Sequence, residues 1–170
     1  MKQLLHFPRT RLSEGARAFG GVTREEAIKG ALDQMESMRG DADLVIEKSI
    51  ATLEQIAAAP QDGGFFSPGQ LSAMLARCDQ IVTLAGTFGY RALDAATCCL
   101  CDLLEGLRQS GLKDIASIRV HVRTMRLLAP GAPPLAAGHQ NRVLAELTKI
   151  LAHHGFARAS DMADKAGIAS

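Results

Sequence analysis

Apolar side chains recur at three- and four-residue intervals along most of this chain. No segment alternates apolar and polar residues over several positions. That is the period of amphipathic helices and not of half-buried strands. Thr23-Arg24-Glu25-Glu26 is a capping box, and the helix it opens carries Ala27, Ile28, Ala31, Leu32, Met35 and Met38 as one apolar stripe, with Gly40 as its end. A second helix is predicted from about Asp41 to Ala59, with Leu44, Val45, Ile50, Leu53 and Ile56 facing inward. Pro60-Gln61-Asp62-Gly63-Gly64 is the clearest loop.

Ser67-Pro68-Gly69-Gln70 restarts a helix, with an N-cap Ser, Pro at the first helical position and Gln completing a second capping box. Along that helix Leu71, Met74, Leu75, Cys78, Ile81, Val82 and Ala85 lie within about 60° of one direction, the expected core stripe. It should end near Gly89. Further helices are predicted from about Tyr90 to Gln109, Lys113 to Leu128 and His139 to His154, stopped by Ser110-Gly111, by the Pro-rich run from Ala129 to Pro134 and by Gly155. Residues 1–21, with Pro8, Gly15, Gly20 and Gly21, hold no sustained period and read as a flexible N-terminal arm, and 156–170 as a C-terminal tail. The expectation is an all-α domain over 22–155, arranged as an up-and-down bundle with short connections.

Composition narrows the function classes. A chain of 170 residues with 47% apolar and 22% charged positions suits one globular domain. No apolar run approaches the roughly 18 residues that span a bilayer, and Met1 to Pro8 lacks the apolar core of a secretion signal, so a cytoplasmic protein without a membrane partner is expected. The net charge of +1 comes from 19 basic and 18 acidic residues without a basic cluster, and aromatic residues are 4%. Neither a phosphate-tracking stripe nor a base-stacking surface is suggested, so no nucleic acid is expected as a partner.

The stretch Ile81-Val82-Thr83-Leu84-Ala85-Gly86-Thr87-Phe88-Gly89-Tyr90 resembles the back half of the phosphoacceptor helix of a histidine phosphotransfer (Hpt) domain. In that family a phosphorylatable His precedes the pattern L-K-G-x-A-x-x-F/L-G. The similarity covers roughly Phe66 to Leu128 and is dense from Ile81 to Leu100. Ile81 matches the apolar position two after the His, Ala85 and Gly86 match the small residues six and seven after it, and Phe88-Gly89 match the ending. Leu93, Ala96 and Leu100 match the apolar spacing of the following helix. The resemblance implies a four-helix, Hpt-like core over about 41–128 with one or two additional helices.

Three departures fall together. Asp79 stands where the family has its His, Val82 where it has a Lys that neutralises the incoming phosphoryl group, and Thr83 where it has a Gly that clears space beside the imidazole. All three remove phosphoryl chemistry, while the scaffold positions survive. Asp79 lies about 100° off the core stripe with Thr83 and Gly86 on the same flank, which makes a shallow docking groove. Acyl-phosphate chemistry on Asp79 is not expected, because nothing near it in sequence supplies the acids that hold a divalent cation.

Other candidates carry less. Cys99 and Cys101 sit about 200° apart on a helix, so Cys98, Cys99 and Cys101 do not converge on one metal, and buried or flanking thiols are the expectation. His121, at the edge of the stripe made by Ile115, Ile118, Val122 and Met125, is expected half packed and half solvated; a displaced phosphohistidine there is the sharper alternative. His153 and His154 diverge and are expected to assist the helix C-terminus. No Gly-x-Ser-x-Gly, His-Glu-x-x-His or phosphate-binding Gly loop occurs, so no enzyme, metal or cofactor is expected.

The sequence therefore points to a non-catalytic adaptor or decoy. It would bind a response-regulator receiver domain or a histidine kinase through Asp79, Val82, Thr83 and Gly86. Two readings compete: a structural helical protein that forms a homodimer through its Met- and Ala-rich first helix, and an active phosphotransfer protein using His121.

Overall fold

The computed structural model describes residues 22–60 and 65–156, and among these it contains six α-helices and no β-sheet. The arm expected over 1–21, most of the loop after Pro60 and the tail beyond Phe156 lie outside the described residues. The chain divides into two compact units, Met1–Gly40 and Asp41–Ser170.

In the first unit, α1 (Arg24–Ser37) starts as its capping box dictates. The Thr23 hydroxyl accepts the Glu26 N–H at 3.2 Å, and the Glu26 carboxylate accepts the Thr23 N–H at 2.8 Å. The helix ends short of Gly40: the Met38 N–H closes on the Met35 and Glu36 carbonyls, and Gly40 is already helical again. None of the helix's residues is buried, and Ile28, Leu32, Met35 and Met38 remain exposed along one stripe.

The second helix, α2 (Arg39–Ala58), buries Ala42, Ile46, Ser49, Ile50, Leu53 and Ala57. Leu44 was expected inside and is instead 59% exposed, while Val45 is half-buried. The buried stripe mixes Ala42, Ser49 and Ala57 with the large apolar residues, so it does not stand out as an apolar row. Leu44, two residues from Ala42 and two from Ile46, falls on the opposite face at 100° per residue.

α3 (Pro68–Phe88) begins at the second capping box: the Ser67 hydroxyl accepts the Gln70 N–H at 3.2 Å, and the Gln70 side chain accepts the Ser67 N–H at 3.0 Å. The Gln70 amide also donates to the Ala59 carbonyl at 2.9 Å, tying the start of α3 to the end of α2. Gly89 ends α3 at φ 80° and Gly111 ends α4 (Arg91–Ser110) at φ 69°, left-handed conformations that glycine adopts without a Cβ clash. α5 (Ile115–Leu128) starts just after Lys113, with Asp114 as its N-cap, and α6 (Ala137–His154) closes the set.

α4 is the central element. It packs against α3, α5 and α6, and α5 also packs against α6. Its buried Leu93, Ala96, Leu100, Leu103, Leu104 and Leu107 are a leucine-rich stripe that meets Met74, Cys78, Ile81 and Ala85 of α3, Ile118, Val122 and Met125 of α5, and Leu147 and Leu151 of α6 in one core. Ile46, Ile50, Leu53 and Ala57 bring α2 into the same core. Polar ties fix its register: Tyr90 Oη donates to Asp43 at 2.6 Å, Ser49 Oγ to Gln80 at 3.0 Å, and Arg119 Nε to the Ala57 carbonyl at 2.9 Å. The Arg126 guanidinium bridges Glu47 and Glu54, two turns apart on α2. It holds the Glu54 carboxyl below the usual range and contributes on the order of 1 kcal/mol, since all three groups are partly solvated. Among the described residues no helix is long and apolar enough to cross a membrane.

Candidate functional site

The α3 flank away from the core carries the four residues that the sequence pointed to. Asp79, Thr83 and Gly86 are all exposed, and Val82 is half-buried at the edge of the core stripe. The helix puts them there because Met74, Cys78, Ile81 and Ala85, at three- and four-residue spacing, turn inward. Gly86 has open space where a Cβ would stand, with nothing within 4 Å, so the helix surface is flat at that point. The Thr83 hydroxyl donates to the Asp79 carbonyl at 2.8 Å and Thr87 repeats this to Thr83. Both hydroxyls are thereby folded against the backbone. A partner would meet a carboxylate, two threonines whose hydroxyls are already bonded and a bare glycine backbone within two helical turns.

His121 departs from expectation. It is fully buried, not half solvated. Its neighbours on α5 explain this: Ser117, Val122, Thr124 and Met125 are buried with it, so the inward face of α5 is wider than the apolar residues alone indicate. Nδ1 lies 2.8 Å from the Ser117 carbonyl. A carbonyl can only accept, so the ring donates from Nδ1 and carries its proton there. Nε2 then holds a lone pair with no partner among the described residues. Burial lowers the pKa of His121 below its ordinary value, against the smaller opposing effects of the Ser117 carbonyl and Asp114. A phosphoryl acceptor must present a ring nitrogen to a donor protein, and His121 presents none.

Asp114 organises a second polar cluster. Its carboxylate accepts the Ser117 N–H at 3.0 Å, the Ser117 hydroxyl through a short bond, and His154 Nε2 at 2.9 Å. Burial works against the charged carboxylate, but the Ser117 and His154 contacts outweigh it and hold Asp114 below its ordinary range. His154, expected to serve the end of its own helix, thus reaches the N-cap of α5, and Phe156 stacks on its ring. The one local signal for this cluster is an Asp three residues ahead of a Ser at a helix start. The Ser117 hydroxyl donates to the Asp114 carboxylate and not to an imidazole, so the cluster is not built as a Ser–His pair.

An apolar cavity of about 210 Å³ opens where Phe65, Phe66 and Leu71 meet Leu107, Leu112 and Ile118, and Lys113 caps the Phe65 ring at 3.4 Å. Arg108, Lys113 and Asp114 supply its polar edge. The fold also supplies a neighbour for the cysteines that spacing alone did not: Cys101 of α4 acts on the fully buried Cys78 thiol of α3 and, with burial, raises its pKa. Among the described residues no group of three His, Cys, Asp or Glu side chains is arranged to hold a metal ion. No protein family, curated protein or solved structure matches the chain.

Proposed function

We propose that this is a cytoplasmic, non-catalytic Hpt-like adaptor or decoy in two-component signalling. In this reading α2 to α5 are the four-helix Hpt-like core and α1 and α6 are additions. The α3 face of Asp79, Val82, Thr83 and Gly86 docks a receiver domain, or the histidine kinase that feeds one. The observation that carries the reading is the exposure of Asp79, Thr83 and Gly86 on one flank of α3, with Gly86 open to close approach. A helix packing there would reach the backbone, as partners do where small residues line a contact. It would find a carboxylate and no imidazole, so the docked partner would be occupied without passing a phosphoryl group.

The test is binding and label transfer together. Receiver proteins from the source cell should bind the wild-type protein, and Thr83→Arg with Gly86→Arg should weaken that binding at least about tenfold, roughly 1.4 kcal/mol, while leaving the helical circular dichroism unchanged. Incubation with radiolabelled phosphorylated kinase and receiver should leave this protein unlabelled. Label that appears on it and disappears with His121→Gln would sink the adaptor reading.

A second reading rests on α1. An amphipathic helix with no buried residue and an exposed Ile28, Leu32, Met35 and Met38 stripe suits pairing with the same helix of a second copy. Under it, sedimentation of the wild-type protein gives a dimer, and Leu32→Lys with Met35→Lys gives a monomer of unchanged helicity. A wild-type monomer at high concentration removes this reading.

A further inference from the structure

α3 and α4 are joined only by Gly89 and Tyr90, so residues equally distant from that turn stand at the same level of the hairpin. Cys78 is ten residues before the end of α3 and Cys101 is ten residues after the start of α4. The buried faces of the two helices set small side chains among the large ones: Cys78, Ala85, Ala96 and Thr97 are fully buried beside Met74, Ile81, Leu93 and Leu100. Small residues let two helix backbones approach closely, and a disulfide needs Cα atoms within about 7 Å. The two thiols are close enough to raise the Cys78 pKa, and Cys98, one turn before Cys101, acts more weakly on the same buried sulfur.

The members of the pair differ in character. Cys78 is fully buried; the neighbouring Cys101 thiol and burial push its pKa above the usual range, so it stays protonated and does not meet peroxide itself. Cys101 is half-buried, packed against the core on one side and reachable from the other. All four cysteines of the chain are reduced in this structure.

We propose that Cys78 and Cys101 form a redox pair that closes a disulfide across the α3–α4 hairpin when the protein meets a peroxide. The exposed edge of Cys101 is attacked first. Its sulfur takes one oxygen of hydrogen peroxide, the O–O bond breaks, and the second oxygen leaves as water with the thiol proton, giving a sulfenic acid. The Cys78 sulfur then attacks the Cys101 sulfur. An S–S bond forms, the S–O bond breaks, and the hydroxyl leaves as water with the Cys78 proton. Two thiols are oxidised and one peroxide is reduced to two waters. The bond staples the helix that carries Asp79, next to Cys78, to the central helix of the core. This inference stands apart from the docking reading and survives its failure.

The experiment treats the folded full-length protein with hydrogen peroxide, blocks residual thiols, and maps linkages by non-reducing digestion and mass spectrometry. A Cys78–Cys101 peptide pair lighter by two hydrogens, lost on dithiothreitol treatment and retained in a Cys98→Ser/Cys99→Ser variant, is the expected result. The oxidised form should melt about 5–10 °C higher, because the bond closes a loop in the unfolded chain. In Cys78→Ala the Cys101 sulfenic acid should persist and be trapped by dimedone. The proposal is overturned if Cys101 proceeds to sulfinic acid with Cys78 still reduced, if Cys78 links equally to Cys98 or Cys99, or if disulfides form only between chains. The wild-type map decides these outcomes even if the alanine variant fails to fold.

Discussion

Lowering the pH from 7 towards 5 is expected to destabilise the fold measurably, with most of the loss traced to His121. The imidazole is fully buried, and burial holds its folded-state pKa below the ordinary 6.5. Below about pH 6.5 the unfolded chain takes up a proton that the folded chain refuses, so stability falls as pH falls, and the loss ends once the pH passes the folded-state value. One proton sets the slope at no more than about 1.4 kcal/mol per pH unit. The partly buried carboxylates with lowered pKa, Asp114 and Glu54, act in a separate and more acidic window. They stabilise above their unfolded values of roughly 4, and that contribution is lost only as pH drops through their folded values. Urea titrations at pH 7, 6 and 5 on the wild type and His121→Leu check this. Leucine should flatten the profile between pH 6.5 and 5. It should also leave stability at pH 7 unchanged or raised, since it removes a buried Nε2 with no partner. An unflattened profile in the leucine variant would assign the acid sensitivity elsewhere.

The second large effect is expected at Gly106. A Cβ there would stand 2.4 Å from Cγ of Phe156 and 2.5 and 2.7 Å from its two Cδ atoms. The Phe156 backbone is pinned, since its N–H donates to the Leu151 carbonyl at 2.9 Å just after α6 ends. The ring can only swing out, which drops its stack on His154 and loosens the link from His154 to Asp114. Gly106→Ala should therefore destabilise by about 1–3 kcal/mol, the usual range for overpacking, although alanine is otherwise the better helix residue. A double-mutant cycle makes this specific. In a Phe156→Ala background the same Gly106→Ala change meets no ring and should stabilise by up to about 1 kcal/mol through helix propensity. A change of sign between the two backgrounds, read from denaturant midpoints, identifies the seat; equal effects would place the cost in α4 itself.

Both effects arise where the sequence was least legible. His121 looked like a boundary residue because the apolar positions alone draw a narrow α5 stripe, yet Ser117 and Thr124 are buried beside it. Leu44 looked like core because it is large, while Ala42 and Ser49 do the facing. In each case the inward face is set by what stands opposite: Gln80 for Ser49, the Arg126–Glu54 bridge for the register of α2 against α5, Phe156 for Gly106. Those partners are 31, 72 and 50 residues away along the chain, beyond the reach of any local pattern.

By itself the sequence determined most of the helix starts and stops, the expected stop at Gly40 being the exception. Capping boxes at Thr23 and Ser67 and glycines at 89, 111 and 155 act on orphan backbone groups within one turn, so their effect is local and readable. It also determined that Asp79, Thr83 and Gly86 share an exposed flank, because a core stripe fixes a helix's rotation. Only the tertiary structure decided that Cys78 meets Cys101, that Asp114 gathers Ser117 and His154, and that His121 is sealed. Those facts depend on how the faces of α3, α5 and α6 register against α4, and that register follows from shape complementarity summed over the whole core.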